Sequence, residues 1–406
     1  MTATAAVQTA SVRYLIHSQT VNFVPLLSFR VNESGAPAGL LAVAQRVTSL
    51  LKPCMGVWNL PKLDRGASAP AARGGHAIAS IGSKVICFGG ADRSPTPFSD
   101  LWELDTGRHS NQWTRIQPTA NAERGKLVPR SGATMTAVGD ILYIFGGQDP
   151  VTGSCYNDII MMDSRSWQWM ALEVTGSRPP ARHSHTTALV QKNSLVVFGG
   201  AGAQGPLGDL WLFDLASRQW SQPNTKGEPP AAREMHTGTM IDETRMLIYG
   251  GRGPDGKVLC DACLFDAGSL TWKLREPTPF ARCAHTAVAL PSEAGCSGNQ
   301  QSDTDEPMGN TPEAEHMCVL VYGGFSGDAV EGDLISIDPD GIDVQMVSRG
   351  PDQGDFRPDQ QIPQARFAHG AVRVPSTALD HGKDMVVFGG VNPAQDLNDV
   401  AIWQGM

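Results

Sequence analysis

The sequence predicts an all-β protein made of six copies of a small four-stranded sheet that stack radially. Three observations support this prediction. A Gly-Gly pair closes a short apolar run six times, each repeat carries further residues at matching positions, and glycine and proline make up more than one residue in six of the 406. A chain so rich in turn-forming residues is not expected to form long helices or a coiled coil.

The repeat is defined by its glycines and by a preceding arginine. The six Gly-Gly pairs are Gly89 and Gly90, Gly146 and Gly147, Gly199 and Gly200, Gly250 and Gly251, Gly323 and Gly324, and Gly389 and Gly390. The six arginines that precede them are Arg73, Arg130, Arg182, Arg233, Arg282 and Arg366. In five repeats a histidine stands three positions after the arginine, whereas the second repeat has Ala133 there. These positions predict a shared structural role within each repeat.

An aspartate and a tryptophan extend the pattern on the other side of each pair. The aspartates follow nine to eleven residues later, at Asp100, Asp158, Asp209, Asp261, Asp333 and Asp399. Four repeats then carry a tryptophan, at Trp113, Trp169, Trp220 and Trp272, and the fifth has Val344 at that spacing. Each unit thus holds four short apolar runs separated by turn residues, which predicts four strands. One such sheet cannot bury both faces alone, but radial stacking buries them against neighbouring copies.

This order of residues resembles the kelch motif. The elements R-x-x-H, then F-G-G or Y-G-G, then an aspartate with alternating apolar residues, and then tryptophan recur over residues 56 to 406. Membership of the kelch family implies a six-bladed β-propeller. The last repeat ends at Trp403 without a fourth strand, and we expect the segment 56–60 to supply that outer strand and close the ring.

Two segments are predicted to lie outside the propeller sheets. Residues 1–53 form an N-terminal extension before a propeller of residues 54–406. We expect this segment to be a weakly ordered extension. An organelle transit peptide is the alternative, because up to Leu63 the only acidic residue is Glu33 and such an acid-poor, hydroxyl-rich composition is typical of transit peptides. The fifth repeat carries an acidic, polar insert at about 291–316, which we expect to be a disordered surface loop.

Charge and cysteine usage restrict the partners and the compartment. The net charge of −9 disfavours nucleic acid, and no apolar run reaches the length of about 18 residues that a membrane span needs. The eight cysteines are scattered, which predicts reduced thiols in an intracellular protein. We expect a monomeric cytoplasmic protein, or a mitochondrial or plastid one if residues 1–53 are a transit peptide.

The sequence does not predict a catalytic or metal-binding site. Equivalent histidines on adjacent sheets would lie roughly 10 Å apart, too far to share one ion. Cys260 and Cys263 form a C-x-x-C, but residues three apart on a strand face opposite sides. The six arginines could form a cationic ring, although an Arg–Asp contact within each blade would neutralise it. We therefore expect no cofactor, metal or catalytic residue.

The predicted function is that of a kelch-repeat interaction module or scaffold that binds a protein partner. Its binding surface would be built from the loops that follow the Gly-Gly pairs, since these vary most between copies. Candidate contacts in those loops are Arg93, Asp149, Arg252, Lys257, Asp328 and Asn392. The alternative is a small-molecule enzyme or a metal-assisted specifier-type protein with its site at the channel mouth.

Overall fold

A computed structural model describes residues 56–61, 68–107, 112–120, 127–292, 316–351, 362–376 and 383–405. These residues form β-strands and connecting turns without a helix, and they belong to the unit Leu51–Met406. No helix in the described part of the chain is long and apolar enough to span a membrane. The predicted all-β class is confirmed.

The strands assemble into six antiparallel four-stranded blades. Blade 1 contains β2 (Ala77–Ile81), β3 (Lys84–Phe88), β4 (Leu101–Asp105) and β5 (Trp113–Ile116). Blade 2 contains β7 (Thr134–Val138), β8 (Ile141–Phe145), β9 (Ile159–Asp163) and β10 (Gln168–Ala171), with β6 (Thr119–Ala120) parallel to β10. Blade 3 contains β11 (Thr186–Val190), β12 (Ser194–Phe198), β15 (Leu210–Asp214) and β16 (Gln219–Ser221), and the short hairpin of β13 (Ala201–Gly202) and β14 (Gly205–Pro206) follows its glycine pair.

The remaining blades repeat this order. Blade 4 contains β17 (Thr237–Met240), β18 (Arg245–Tyr249), β19 (Asp261–Asp266) and β20 (Thr271–Pro277). Blade 5 contains β21 (Thr286–Pro291), β22 (Met317–Tyr322), β23 (Leu334–Asp338) and β24 (Asp343–Ser348). Blade 6 contains β25 (Gly370–Pro375), β26 (Lys383–Phe388), β27 (Val400–Gly405) and β1 (Gly56–Asn59).

The two ends of the propeller meet in blade 6. Strand β1 pairs antiparallel with β27, with Gly56 opposite Gly405 and Trp58 opposite Trp403. The first strands of the blades also contact one another in a closed cycle, β2 to β7, β11, β17, β21, β25 and back to β2. The predicted six-bladed propeller and its closure by the N-terminal segment are therefore confirmed.

Aromatic side chains pack each blade against the previous one. The tryptophan of an outer strand covers the aromatic residue that precedes the glycine pair of the neighbouring blade. Four such pairs have ring centroids 4.7 to 5.3 Å apart: Trp58 with Tyr322, Trp113 with Phe388, Trp220 with Phe145, and Trp272 with Phe198. In blade 5, Val344 packs into the cluster that contains Tyr249, so an aliphatic side chain takes the place of the missing tryptophan. This contact buries the hydrophobic faces that one sheet alone would leave in water.

Some sequence predictions concern residues that the structure does not describe. The N-terminal extension 1–53 and nearly all of the insert at 291–316 lie outside the described residues, and they stay predictions. Strands β21 and β22 flank the insert in sequence, and Pro291 at the end of β21 pairs with Met317 at the start of β22, at the edge of the sheet opposite the glycine pairs.

The prediction of reduced thiols agrees with the structure at five of the described cysteines and disagrees with it at one. Five described cysteines are free: Cys87, Cys155, Cys260, Cys263 and Cys283. Cys318 on β22 is disulfide-bonded, which the scattered spacing did not predict.

Candidate interaction surface

The six loops that follow the glycine pairs share one face of the propeller, which we call the loop face. They span residues 91–99, 148–157, 201–208, 252–260, 325–332 and 391–398. In each blade the residue after the glycine pair forms a β-bridge with the residue after the repeat arginine, as Ala91 does with Gly74 and Arg252 with Glu234. The loops are therefore fixed at their roots to the segments that enter the blades.

The repeat arginines hold the loop face from beneath. The fully buried Arg182 donates from Nη1 to the carbonyl of Gly199 at 2.9 Å and binds both oxygens of Asp209 at 2.8 and 2.7 Å. The other repeat arginines form the corresponding ion pairs: Arg73 with Asp100, Arg130 with Asp158, Arg233 with Asp261, Arg282 with Asp333, and Arg366 with Asp399. Each guanidinium thus has a carboxylate of its own blade, so the six arginines do not form an unpaired cationic ring.

A closed ring of hydrogen bonds joins the glycine pairs to the neighbouring blades. The second glycine of each pair donates its N–H to the carbonyl of the next blade's arginine over 2.7 to 2.8 Å. These bonds run from Gly90 to Arg130, Gly147 to Arg182, Gly200 to Arg233, Gly251 to Arg282, Gly324 to Arg366, and Gly390 to Arg73. The first glycine is equally constrained, because a Cβ on Gly89 would lie 2.6 Å from the Arg130 carbonyl and its φ is +71°.

A second ring of hydrogen bonds marks the centre of the loop face. Its members stand two positions after each arginine, and each N–H donates to the carbonyl of the preceding member over 2.7 to 2.9 Å. The members, all with φ between 51° and 66°, are Gly75, Gly132, Ser184, Met235, Ala284 and Ala368. We call this the central ring. It locks all six blades together at the mouth of the channel.

The residues beside the central ring divide the channel mouth into two halves. Blades 2, 3 and 4 contribute mainly polar residues, which are Ser131, Gln148, His183, Ala201, Glu234 and Arg252. Blades 5, 6 and 1 contribute apolar or small residues, which are Cys283, Phe325, Phe367, Val391, Gly74 and Ala91. The bridged residues are therefore mainly polar on one side of the central ring and apolar or small on the other.

Glu234 and Arg252 form the charged centre of the polar half. The buried Glu234 carboxylate accepts hydrogen bonds from Arg252 Nε at 3.1 Å and Nη2 at 2.6 Å, while the Arg252 side chain stays 42% exposed. In the next blade, burial raises the pKa of the Cys283 thiol to about 11. That thiol is protonated at neutral pH, so it is not activated as a nucleophile. The mouth offers hydrogen bonds and charge to a ligand.

Two of the predicted contact residues organise loops. Asp149 accepts backbone hydrogen bonds from Val151 at 2.7 Å and Thr152 at 3.1 Å, and these bonds lower the pKa of its carboxyl. Asn392 is buried, donates to Gln364 at 2.9 Å and accepts from two backbone N–H groups of its own turn. Its side chain shapes the loop of blade 6 and is not displayed to a partner.

The other four predicted contacts are displayed to different degrees. Arg93 reaches across to blade 6, where it contacts Asp396 at 3.2 Å and two backbone carbonyls. Arg252 is held by Glu234, as described above. Lys257 is 81% exposed and lies 3.1 Å from Asp255, and Asp328 is exposed on the adjacent loop of blade 5.

Sequence reasoning missed two residues of the loop face. Val151 is 66% exposed at the tip of the blade 2 loop. An apolar residue between Pro150 and Thr152 in a turn is a signal that could have identified it. Glu234 gives no such signal, because its burial depends on the bridge that brings Arg252 alongside it.

The repeat histidines lie under the loop face as neutral side chains. In three blades the histidine Nε2 contacts a threonine hydroxyl of the previous blade at 2.7 to 2.9 Å: His185 with Thr134, His285 with Thr237, and His369 with Thr286. Burial, helped by the nearby repeat arginine, lowers the pKa of His76, His236 and His285 to about 3. These contacts give the repeat histidine a packing role between blades.

The chain is similar in sequence to known kelch-repeat proteins. The sequence model of the KLHDC2/KLHL20/DRC7 Kelch-repeats domain matches residues 75–298. The chain is 28% identical to Host cell factor of Drosophila melanogaster over 58% of this chain and 18% of that protein, and 29% identical to human Kelch domain-containing protein 3 over 54% of this chain and 61% of that protein. It is also 28% identical to Acyl-CoA-binding domain-containing protein 4 of Arabidopsis thaliana, over 49% of this chain and 29% of that protein. The matched regions span less than two thirds of each of these relatives.

Proposed function

The chain belongs to the kelch-repeat propeller family, whose members commonly mediate protein interactions, and from this premise we propose that it binds a protein partner through the loop face. The observation that carries the proposal is the contrast between scaffold and loops. The repeat arginines, glycine pairs and central ring recur from blade to blade, whereas the six loops that they support differ in sequence and in exposed chemistry. A rigid frame that displays varied loops is suited to specific recognition.

The channel mouth, with its polar half and its apolar half, favours a partner that inserts a side chain or a short segment. Its polar half offers the Arg252 guanidinium, already oriented by Glu234, and its apolar half offers Phe325 and Phe367. A desolvated apolar anchor beside a fixed charge is typical of the residues that dominate interface energies. We propose that the mouth is the centre of the interface and that the exposed loop tips form its rim.

Lys257 and Asp328 are the best positions for testing the rim. Both are exposed, they lie on the adjacent loops of blades 4 and 5, and these loops approach each other where Val258 faces Gly327. Arg252→Glu is a poor probe because it would place a second carboxylate beside the buried Glu234. Lys257→Glu combined with Asp328→Lys changes the surface and leaves the net charge of the chain unchanged.

The test compares proteins that co-purify with the full-length chain and with two double variants. The loop-face variant is Lys257→Glu with Asp328→Lys. The control is Lys192→Glu with Glu243→Lys, which reverses an exposed ion pair on the opposite face, where the side chains are 76% and 63% exposed. The proposal expects a protein that the wild type and the control recover and the loop-face variant loses. Equal recovery by all three, or loss only with the control, would overturn it.

The alternative of a small-molecule enzyme or specifier-type protein stays a prediction without a supporting observation. The cluster of titratable groups at the mouth contains a protonated thiol and a carboxylate committed to Arg252. We therefore do not propose it as a second function.

A further inference from the structure

Three potential metal ligands come together in blade 5, on the face opposite the loop face. His316 immediately precedes β22, Asp338 ends β23, and Asp340 lies in the turn that leads to β24. The Nε2 atom of His316 is 3.7 Å from Oδ1 of Asp338 and 3.8 Å from Oδ2 of Asp340. We propose that these three side chains bind a Zn²⁺ ion.

The orientation of His316 suits a ligand. Its Nδ1 lies 2.9 Å from the hydroxyl of Ser292, and the backbone N–H of Ser292 donates to the carbonyl of His316 at 2.8 Å. A histidine that binds a metal usually engages its second ring nitrogen in such a hydrogen bond, which fixes the ring orientation. The bond to Ser292 therefore directs Nε2 towards the two carboxylates.

The donor set favours zinc over the harder cations. Ca²⁺ and Mg²⁺ take oxygen ligands, whereas one imidazole nitrogen and two carboxylate oxygens are ordinary ligands of Zn²⁺. Three protein ligands would leave the fourth tetrahedral position to water. Ligand atoms around tetrahedral zinc are about 3.3 Å apart, so the two separations measured from His316 Nε2 need to close by about half an ångström or less. All three ligand atoms lie within 4.8 Å of one another.

Arg245 positions one of the carboxylates without occupying both of its oxygens. Its Nη1 lies 2.5 Å from Oδ1 of Asp340, and its Nε lies 2.6 Å from Oδ2 of Asp242. This leaves Oδ2 of Asp340 directed towards His316. The three aspartates and one arginine leave a local charge of −2, which a divalent cation would balance.

The ion would link two elements of one blade. His316 and Ser292 hold the root of the connection between β21 and β22, and Asp338 and Asp340 belong to the turn between β23 and β24. Zinc binding would join that root to the turn. We therefore infer that Zn²⁺ stabilises the folded chain, because the ion binds only when both elements are in place.

The test measures Zn²⁺ binding to the full-length chain, with the Cys318 disulfide intact, by equilibrium dialysis, together with the melting temperature. The wild type is expected to bind one ion and to melt at a higher temperature in excess Zn²⁺. His316→Gln and, independently, Asp338→Asn are expected to weaken binding at least tenfold and to abolish the rise in melting temperature. The controls are His183→Gln and Asp255→Asn, a histidine and an aspartate on the loop face, and they should behave like the wild type.

Substitution with Co²⁺ identifies the ligands. A site of nitrogen and oxygen donors gives visible cobalt absorption without the intense near-ultraviolet band of a thiolate ligand. The proposal is overturned if the wild type binds no Zn²⁺ in excess metal, if both His316→Gln and Asp338→Asn retain wild-type affinity, or if the bound Co²⁺ shows the thiolate band.

Discussion

At the scale of single residues, the propeller depends on buried charges that are paired within each blade. Arg282 and Asp333 form the most completely buried of these pairs, with side chains only 5% and 6% exposed. Both oxygens of Asp333 accept from Nη2 of Arg282, at 2.8 and 2.6 Å. Removing one partner leaves the other buried without a counter-charge, which is the costly way to break an ion pair.

Asp333→Ala is therefore expected to lower the free energy of unfolding by about 3 kcal/mol, as measured by urea denaturation at pH 7. Asp255→Ala is the matched control, since Asp255 and Lys257 are 55% and 81% exposed, and it should change stability by less than about 0.5 kcal/mol. Equal effects of the two substitutions would show that burial of the Arg282 pair does not increase its contribution to the free energy of unfolding.

The repeat histidines make stability depend on pH. Their pKa values in the folded chain lie near 3 for His76, His236 and His285, below the ordinary value of 6.5. Between these values the unfolded chain binds protons that the folded chain does not. Their stabilising contribution is therefore complete above about pH 6.5 and is lost as the pH falls towards 3.

The expected slope of the free energy of unfolding against pH is about 1.4 kcal/mol per pH unit for each such histidine. His76→Ala copies the natural Ala133 of blade 2 and should reduce the slope of stability between pH 6 and 4.5 by about that amount. The measurement is the free energy of unfolding in urea across this pH range. An unchanged slope in the variant would contradict neutral burial of His76.

At the scale of elements, the segments that enter the blades are held in an unusual backbone conformation. The central ring places non-glycine residues at positive φ in four blades, including Ala284 at 52° and Ala368 at 54°, while blades 1 and 2 use glycine. The left-handed conformation costs a residue with a Cβ roughly 1 kcal/mol. The six hydrogen bonds of the ring hold these residues in place.

Ala368→Gly is accordingly expected to preserve or raise the free energy of unfolding, by up to about 1 kcal/mol, because glycine adopts this φ without strain. Ala371→Gly in strand β25 is the control, and it should lower stability by about 1 kcal/mol because glycine is unfavourable inside a strand. Chemical denaturation of both variants measures the difference. A loss of similar size in both variants would refute the argument from φ.

The closing strand β1 contributes to the stability of the propeller mainly through the side chain on one of its faces. Trp58 packs against Tyr322 and Trp403, with ring centroids 4.9 and 5.4 Å away, whereas Val57 on the other face is 45% exposed. Trp58→Ala should lower the free energy of unfolding by about 3 kcal/mol, and Val57→Ala by less than about 0.5 kcal/mol. Thermal or urea denaturation of the two variants checks this. If Trp58→Ala has no effect, the ring does not depend on this strand for closure.

The fold could be predicted because each repeat carries its own signal. The spacing of Arg, Gly-Gly, Asp and Trp indicated the strands, and the unmatched ends of the chain indicated the closure. The ion pair of each repeat arginine could be anticipated, since an aspartate recurs at a fixed distance after each glycine pair. Repetition made these assignments independent of any single residue.

The individual loop residues could not be predicted in the same way. Asn392 was a candidate contact because it is polar and lies in a loop, but the turn it organises buries it. Glu234 and Arg252 meet through a bridge between segments 18 residues apart, and His316 meets Asp340 only through the register of blade 5. Such proximity arises from backbone geometry specific to one blade, for which the repeat gives no signal.

At the scale of the whole molecule, two closed rings of hydrogen bonds and the inter-blade aromatic contacts create one continuous frame. Because each blade is bonded to both neighbours at the loop face, the loop roots keep fixed relative positions. A partner can therefore contact loops of several blades at once without first ordering the frame, which limits the entropy lost on binding. This rigidity supports the proposal that the loop face binds a partner.

Partner binding by the loop face can be tested through the affinity of a recovered partner for three forms of the full-length chain: the wild type, Lys257→Glu with Asp328→Lys, and Lys192→Glu with Glu243→Lys. We expect the loop-face variant to bind at least tenfold more weakly, a loss of about 1.4 kcal/mol, and the opposite-face variant to keep wild-type affinity. Weaker binding of the opposite-face variant alone, or the same affinity for all three, would contradict the claim that the loop face binds the partner.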